Sequence, residues 1–278
     1  MKYMKIFENY KSEEEIKKTC DKHNLHNYEI KEGLVDSYTN VRLAFGSFDK
    51  IPVDFGIVQG DFDLSGNKLT NLKGAPSLTT GSFYVDYNKL TSLEGSPEEI
   101  YGNFYIGNNK ELKSLKHITK IIGESLYINQ CSIESFEHSP EIINVDFHSS
   151  SNNIKSLEYS PEIIKGNFVC QHNKLENFIG SPKEVGGRFD LYNNNIYSFE
   201  GFKTKIDGEL ILNGNPVYEI YKQIGEIDNL DEFNMLNIIQ EIDGVWSIYK
   251  FKLDHFMEDI YGKEFDYSKI KSYKIIED

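Results

Sequence analysis

Three tyrosines and a histidine, Tyr84, Tyr105, Tyr127 and His148, follow one another at intervals of 21, 22 and 21 residues. Tyrosine is amphipathic and loses little freedom on ordering, so a row of them is suited to recognition rather than bond-making. The same column contains Arg42, Asp63 and Asp190, and two or three residues further on in their units stand Phe45, Asp86, Tyr87 and Tyr192. These eleven residues form the candidate partner-binding set, and their carboxylates suit a partner that offers Lys or Arg. A competing explanation is purely structural, since aromatic residues side by side on neighbouring strands also stabilise a sheet.

Other chemistries find less support. Asp61 to Gly66 (DFDLSG) opens like a calcium loop, but Leu72 stands where a bidentate Glu is required. His148 and His172 fall on adjacent units without further metal-ligand spacing, and Cys20, Cys131 and Cys170 share none. No Ser sits in a nucleophile elbow, and Gly186-Gly187 lacks the strand and helix that flank a phosphate loop. In the C-terminal stretch, Trp246, His255 and Glu258 form the one weak polar cluster on which an enzyme could be built. The expectation is a non-catalytic chain without metal or cofactor.

The elements that must position the tyrosines come from a repeat. Taking Asn88 as reference, equivalent positions are Gly46, Asn67, Asn109, Cys131, Asn152, Asn173, Asn194 and Asn215, spaced by 21 residues with one step of 22. Large apolar residues lie five before each, such as Phe62, Phe83 and Phe104, and again three before, two after and five after. A fixed period in the twenties with this spacing predicts an α/β leucine-rich repeat solenoid with a parallel sheet on its concave face. Alternation at five and three before the reference sends both side chains inward, and the residue between them outward. The Asn column predicts a ladder of amides that satisfies backbone groups between coils, with Cys131 as a small buried substitute. Ser-Pro or Ala-Pro followed by Gly near each unit's end predicts a convex side made of turns, where φ is preset or free. Two imperfections stand out. The 22-residue unit carries an extra residue between Asn109 and Leu112 and has Ile118 in place of Pro, which predicts a bulge, and Ser149 in an inward column predicts looser packing.

The expected divisions are an N-terminal helix-hairpin cap over 1–40, the solenoid over 41–215 and a C-terminal helical cap over 216–278. Ser12 with Glu15 is a capping box for a helix over 12–24, and two β-prone runs around Gly33 predict a hairpin that covers the end of the sheet. After Asn215-Pro216 a short helix is expected, then two amphipathic helices split near Asp243-Gly244 and a short final strand in SYKIIED. A net charge of −14 argues against sequence-independent nucleic-acid binding and favours a basic or neutral protein partner. Met1 to Tyr10 is mixed and charged, which predicts no leader, and no apolar run has the length of a membrane span. Three cysteines without disulfide spacing fit a reduced, cytoplasmic setting. The oligomeric state is left open.

These motifs carry a resemblance. The stretch FGSFDKIPVDFGIVQGDFDLSGNKLTNLKGAP, the recurring G-x-F-x-x-x-x-N-K-L-T-S-L-x-G-S-P and the closing GNPVYEIYK make the chain similar to bacterial-type leucine-rich repeat proteins, and more closely to 21-residue repeat proteins of large bacteriophages and some bacteria. The resemblance runs from cap to cap. It implies the fold and a bacterial host cytoplasm, and it suggests a phage-encoded inhibitor of a host or defence protein. Secreted bacterial effectors with related repeats carry a ubiquitin-ligase domain with a catalytic C-x-D motif. Here no Cys is followed two positions later by Asp, so that activity is not expected.

Overall fold

A computed structural model describes residues 11–224, 230–270 and 273–277 as a parallel-strand β-solenoid of about eight turns followed by a small mixed unit. The residues five and four before each ladder position form two-residue strands, from Val41–Arg42 to Leu210–Ile211, which pair in parallel as a nine-stranded front sheet. Register is strict: Phe83 faces Phe62 and Phe104, and Tyr127 faces Tyr105 and His148. Because the spacing scarcely varies, like residues stack on like. Inside, Phe83 and Phe104 lie 5.2 Å apart and nearly parallel, as do Phe168 and Phe189 at 5.2 Å. All four are fully buried. No coil could bury such a face alone, and stacking is what removes it from water.

The Asn ladder is built as its spacing predicts. Asn88 donates from Nδ2 to Leu64 O of the preceding coil at 3.0 Å and to Val85 O of its own at 3.1 Å, while its Oδ1 accepts Leu69 N at 3.0 Å. Asn152, Asn173, Asn194 and Asn215 repeat the pattern. Cys131 breaks it without leaving an orphan. The extra residue of the long unit closes a turn at Lys110–Glu111 in which Leu112 N donates to Asn109 O at 3.0 Å, so no side-chain oxygen is needed there. Ser149 is fully buried and meets the Cys170 thiol of the next coil, also buried.

The side opposite the front sheet is not made only of turns, contrary to expectation. Two-residue strands run along it in parallel: Leu78–Thr79, Glu99–Ile100 and Ile121–Ile122 belong to one six-stranded sheet, and Ile142–Ile143, Ile163–Ile164, Glu184–Val185 and Lys205–Ile206 form another. The back sheet is cut between Ile122 and Ile143, at the coil lengthened to 22 residues. Across the cut Asn144 Nδ2 donates to Ile122 O at 3.0 Å, where the next coil has a backbone bond, Lys165 N to Ile143 O. Apart from Gly60, at φ 148°, the unit-opening glycines serve close approach rather than unusual φ. A Cβ on Gly102 would stand 2.7 Å from the backbone of Gly81 and Ser82.

At the N-terminal end the helix Glu13–Lys22 starts in the predicted Ser12/Glu15 capping box and buries Ile16 and Cys20. Tyr28–Lys31 and Leu34–Ser37 form the predicted antiparallel hairpin, but its second strand pairs with Phe55–Val58 and so extends the back sheet, not the front one. At the C-terminal end the expected pair of helices split near Asp243-Gly244 gives way to strands on both sides of that pair. Helices Tyr218–Ile224 and Leu230–Leu236 lead into strands Ile239–Ile242 and Val245–Tyr249, an antiparallel pair, and only then does helix Lys250–Tyr261 follow. Asp243 and Gly244, at φ 52° and 77°, make a two-residue turn with both residues left-handed, whose twist matches that of paired strands. The expected last strand is Lys274–Ile276, parallel to Val245–Tyr249.

Candidate functional site: the outer face of the front sheet

On the outer face the in-register strands bring Tyr84, Tyr105, Tyr127 and His148 into one column. Successive ring centroids lie 4.7, 4.5 and 4.7 Å apart, with planes within 14° of parallel. All four residues are half-buried. Stacking hides the faces of the inner rings, so the column turns ring edges and a line of hydroxyls outward. Its last ring, His148, is pulled below the ordinary imidazole value by burial, while Asp146, 3.9 Å from Nε2, acts in the opposite sense. Tyr105 lies in the middle, and its hydroxyl is pushed up to about 12, by burial first and by Tyr127 and Tyr84 next.

The acidic residues fall into two groups. Asp63 and Asp86 lie near the Tyr84 end. Asp63 Oδ1 accepts the backbone and hydroxyl of Ser65 at 2.9 and 2.7 Å, and Asp86 is pushed up to about 6, mainly by burial and further by the Asp63 charge. Asp190 is different: it is 2% exposed, accepts from Gln171 Nε2 at 2.7 Å and from Tyr192 N at 3.1 Å, and has Arg188 Nε 3.5 Å away. Its carboxylate is thus committed within the fold. Arg42, at the far end of the column, is exposed.

Phe45 and Tyr87 do not lie on the strands. They occupy the position immediately before the ladder, where the chain is left-handed in every coil: φ is 55° at Phe45, 67° at Gly66, 54° at Tyr87, 59° at Asn108, 55° at Gln130, 58° at Ser151, 52° at His172, 54° at Asn193 and 76° at Gly214. Gly and Asn tolerate that conformation, whereas a bulky residue in it carries strain of about 1–2 kcal/mol. Even so, Phe45 and Tyr87 are there and are 78% and 62% exposed. Phe45 leans over Gly66, where a Cβ would come within 2.4 Å of its ring. Tyr192 is exposed and meets the His172 ring edge-on at 5.3 Å.

A second polar ladder borders the column, and sequence reading missed it. Six residues before the reference, Asn40, Asp61, Ser82, Asn103, Ser125, Asp146 and Asn167 each accept, through a side-chain oxygen, the backbone N–H of the equivalent residue one coil on, at 2.7–3.1 Å. Short polar residues at a constant 21-residue spacing were the available signal. The tail cluster is not gathered: Trp246 packs on Tyr197 at 5.3 Å, whereas His255 Nδ1 lies 3.1 Å from Asp259. Burial pushes the Cys131 and Cys170 thiols up to about 11 and about 12, which disfavours their nucleophilic forms. Among the described residues no group of three or more His, Cys, Asp and Glu could hold a metal ion, and no helix is long and apolar enough to cross a membrane. Comparison with protein-family models, curated proteins and solved structures returns no match.

Proposed function

We propose that this chain is a non-catalytic binding module, a solenoid of the leucine-rich repeat type, which engages a protein partner through the concave, outer face of its front sheet. The observation that carries this reading is the Tyr84–Tyr105–Tyr127–His148 stack. Half-exposed aromatic groups held rigid by their neighbours lose little entropy when a partner covers them, which is the property of a binding hot spot. Asp63, Asp86 and the acidic balance of the chain favour a partner with a basic or neutral surface. The setting consistent with the resemblance in the repeats is the cytoplasm of a bacterial host, where a phage-encoded chain of this kind would inhibit a host or defence protein.

The test compares capture by wild type with capture by Tyr84→Ala/Tyr105→Ala/Tyr127→Ala, with circular dichroism and a melting curve for each. A partner found by wild type is then purified and its affinity measured. Retention by wild type and loss by the folded triple variant is the expected result. Equal affinity for both would remove the stack from the interface. A triple Tyr→Phe variant, which keeps the stack and removes the hydroxyls, separates shape from hydrogen bonding.

Carbohydrate recognition is the second reading, supported by the outward line of hydroxyls between Ser, Asn and Asp columns. Saturable binding of a neutral oligosaccharide that is lost in the Tyr→Phe variant would favour it over a protein partner.

A further inference from the structure

Beyond the front sheet, a cleft of ≈ 500 Å³ lies where the last coils meet the C-terminal hairpin. Glu176, Asn195 and Tyr197 of the solenoid form one wall, and Asn237, Ile239, Gln240, Glu241 and Trp246 form the other. That volume falls within the range of small-molecule sites, roughly 300–1,000 Å³, and the junction of two structural units is a usual place for one.

Its chemistry has one sign. The lining holds two carboxylates and no Lys, Arg or His. Neither Glu176 nor Glu241 forms an ion pair among the described residues, although both are exposed. The Trp246 and Tyr197 rings lie 5.3 Å apart at 32°, and among the described residues the cations that cover aromatic rings sit over Tyr218, Tyr249 and Tyr267 instead. Glu176 is close enough to Tyr197 to add to the rise in its hydroxyl pKa that burial begins. Three side-chain amides, Asn195, Asn237 and Gln240, supply carbonyl oxygens that can accept N–H groups. Other clefts contain their own cations: Lys222 and Lys269 at one, Lys120 and Lys165 at the back-sheet cut.

We propose that this cleft binds a small organic cation, a primary ammonium or guanidinium group on a short carbon body. The body lies against Trp246, Tyr197 and Ile239, and the charged head lies between Glu176 and Glu241. Cation–π attraction and two carboxylates act on the same group, and an uncharged sugar would gain only the ring contact. The head could belong to a free amine or to a Lys or Arg side chain of a peptide. This site is separate from the tyrosine column, so either can fail without the other.

Trp246 is the only tryptophan in the chain, so its fluorescence reports on this cleft alone. The full-length protein is titrated with arginine amide, cadaverine and an acetylated, amidated Gly-Arg-Gly tripeptide. N-acetylcitrulline amide, which replaces the guanidinium by a neutral urea and has no free amine, and N,N′-diacetylchitobiose serve as uncharged controls. Expected is a saturable change with the cations that weakens with added KCl and is absent with both controls. Glu176→Gln and Glu241→Gln, at exposed positions where folding is unaffected, should each weaken binding by about tenfold, equivalent to about 1.4 kcal/mol. Preference for the tripeptide over arginine amide assigns the head to a peptide side chain, and the reverse assigns it to a free amine. The proposal is overturned if no cation changes the emission, if N-acetylcitrulline amide or the sugar acts equally, or if both Gln variants bind as wild type.

Discussion

The same strands carry a phenylalanine stack on their inner face and a tyrosine–histidine stack on their outer face, and the two begin and end at different coils. The inner stack runs through Phe62, Phe83 and Phe104, is interrupted by Leu126, and resumes with Phe147, Phe168 and Phe189. The outer one begins at Tyr84 and ends at His148, passing across that interruption. Inside, rings are fully buried and phenyl groups suffice. Outside, they are half-exposed, and three of the four carry hydroxyls. Register alone would permit an outer stack on all nine strands, yet Arg42, Asp63, Val169, Asp190 and Ile211 fill the column elsewhere. Stability explains the inner column. Confinement of the outer column to four adjacent strands agrees with the localised contact surface we propose.

Four experiments sharpen or break this contrast. Phe104→Ala should cost about 3–5 kcal/mol in urea denaturation, against about 1–2 kcal/mol for Tyr105→Ala, which loses mainly ring stacking and partial burial. Equal costs would mean that both columns are structural. Asn109→Ala strands Leu90 N–H and two carbonyls in the core and should cost about 2–3 kcal/mol, while Asn103→Ala in the half-buried outer ladder should cost about 1 kcal/mol.

Asp86 tests the electrostatics of the outer face. Its folded-state pKa of about 6 lies above the ordinary carboxylate value, so ionisation is harder in the folded state than in the unfolded one. Its favourable contribution is therefore complete at about pH 4 and below, and is lost as pH rises through about 6. Asp86→Asn should be more stable than wild type by about 1–2 kcal/mol at pH 8, with the two curves converging in acid. A pH-independent difference would contradict that origin. The smallest effect is expected at Tyr87, where Gly relieves the left-handed strain and should add up to about 1 kcal/mol. If Tyr87 belongs to the interface, the same variant binds its partner more weakly while melting higher.

Much of the solenoid was legible because one short period fixes many contacts at once. Asn67, Asn88 and their equivalents, the Phe columns and the outward Tyr column all follow from a single register. The back strands were harder to see. Leu78–Thr79, Ile142–Ile143 and Ile163–Ile164 are two residues long and lie beside Pro and Gly, so turn signals masked a β-branched recurrence that was present at the same spacing. In the C-terminal unit IIQEI and VWSIY fit either period, and the decisive signal was the Asp243-Gly244 pair, which sets strand twist more strongly than apolar spacing sets a helix. The Trp246 cleft could not be read at all, since Glu176 and Glu241 come to line one cleft only through tertiary packing.

The cut in the back sheet gives the molecule a mechanical asymmetry. The front wall is a continuous hydrogen-bonded sheet, whereas the back wall is interrupted between Ile122 and Ile143 and bridged there by the Asn144 side chain. A stack of coils with one seamless wall and one notched wall has its lowest flexural stiffness at the notch. It bends by opening there, with the front sheet as the unstretched fibre. The chain passes from Ile122 to Ile143 through the front strand that carries Tyr127, so the curvature of the surface around that ring is the easiest to change along the described solenoid.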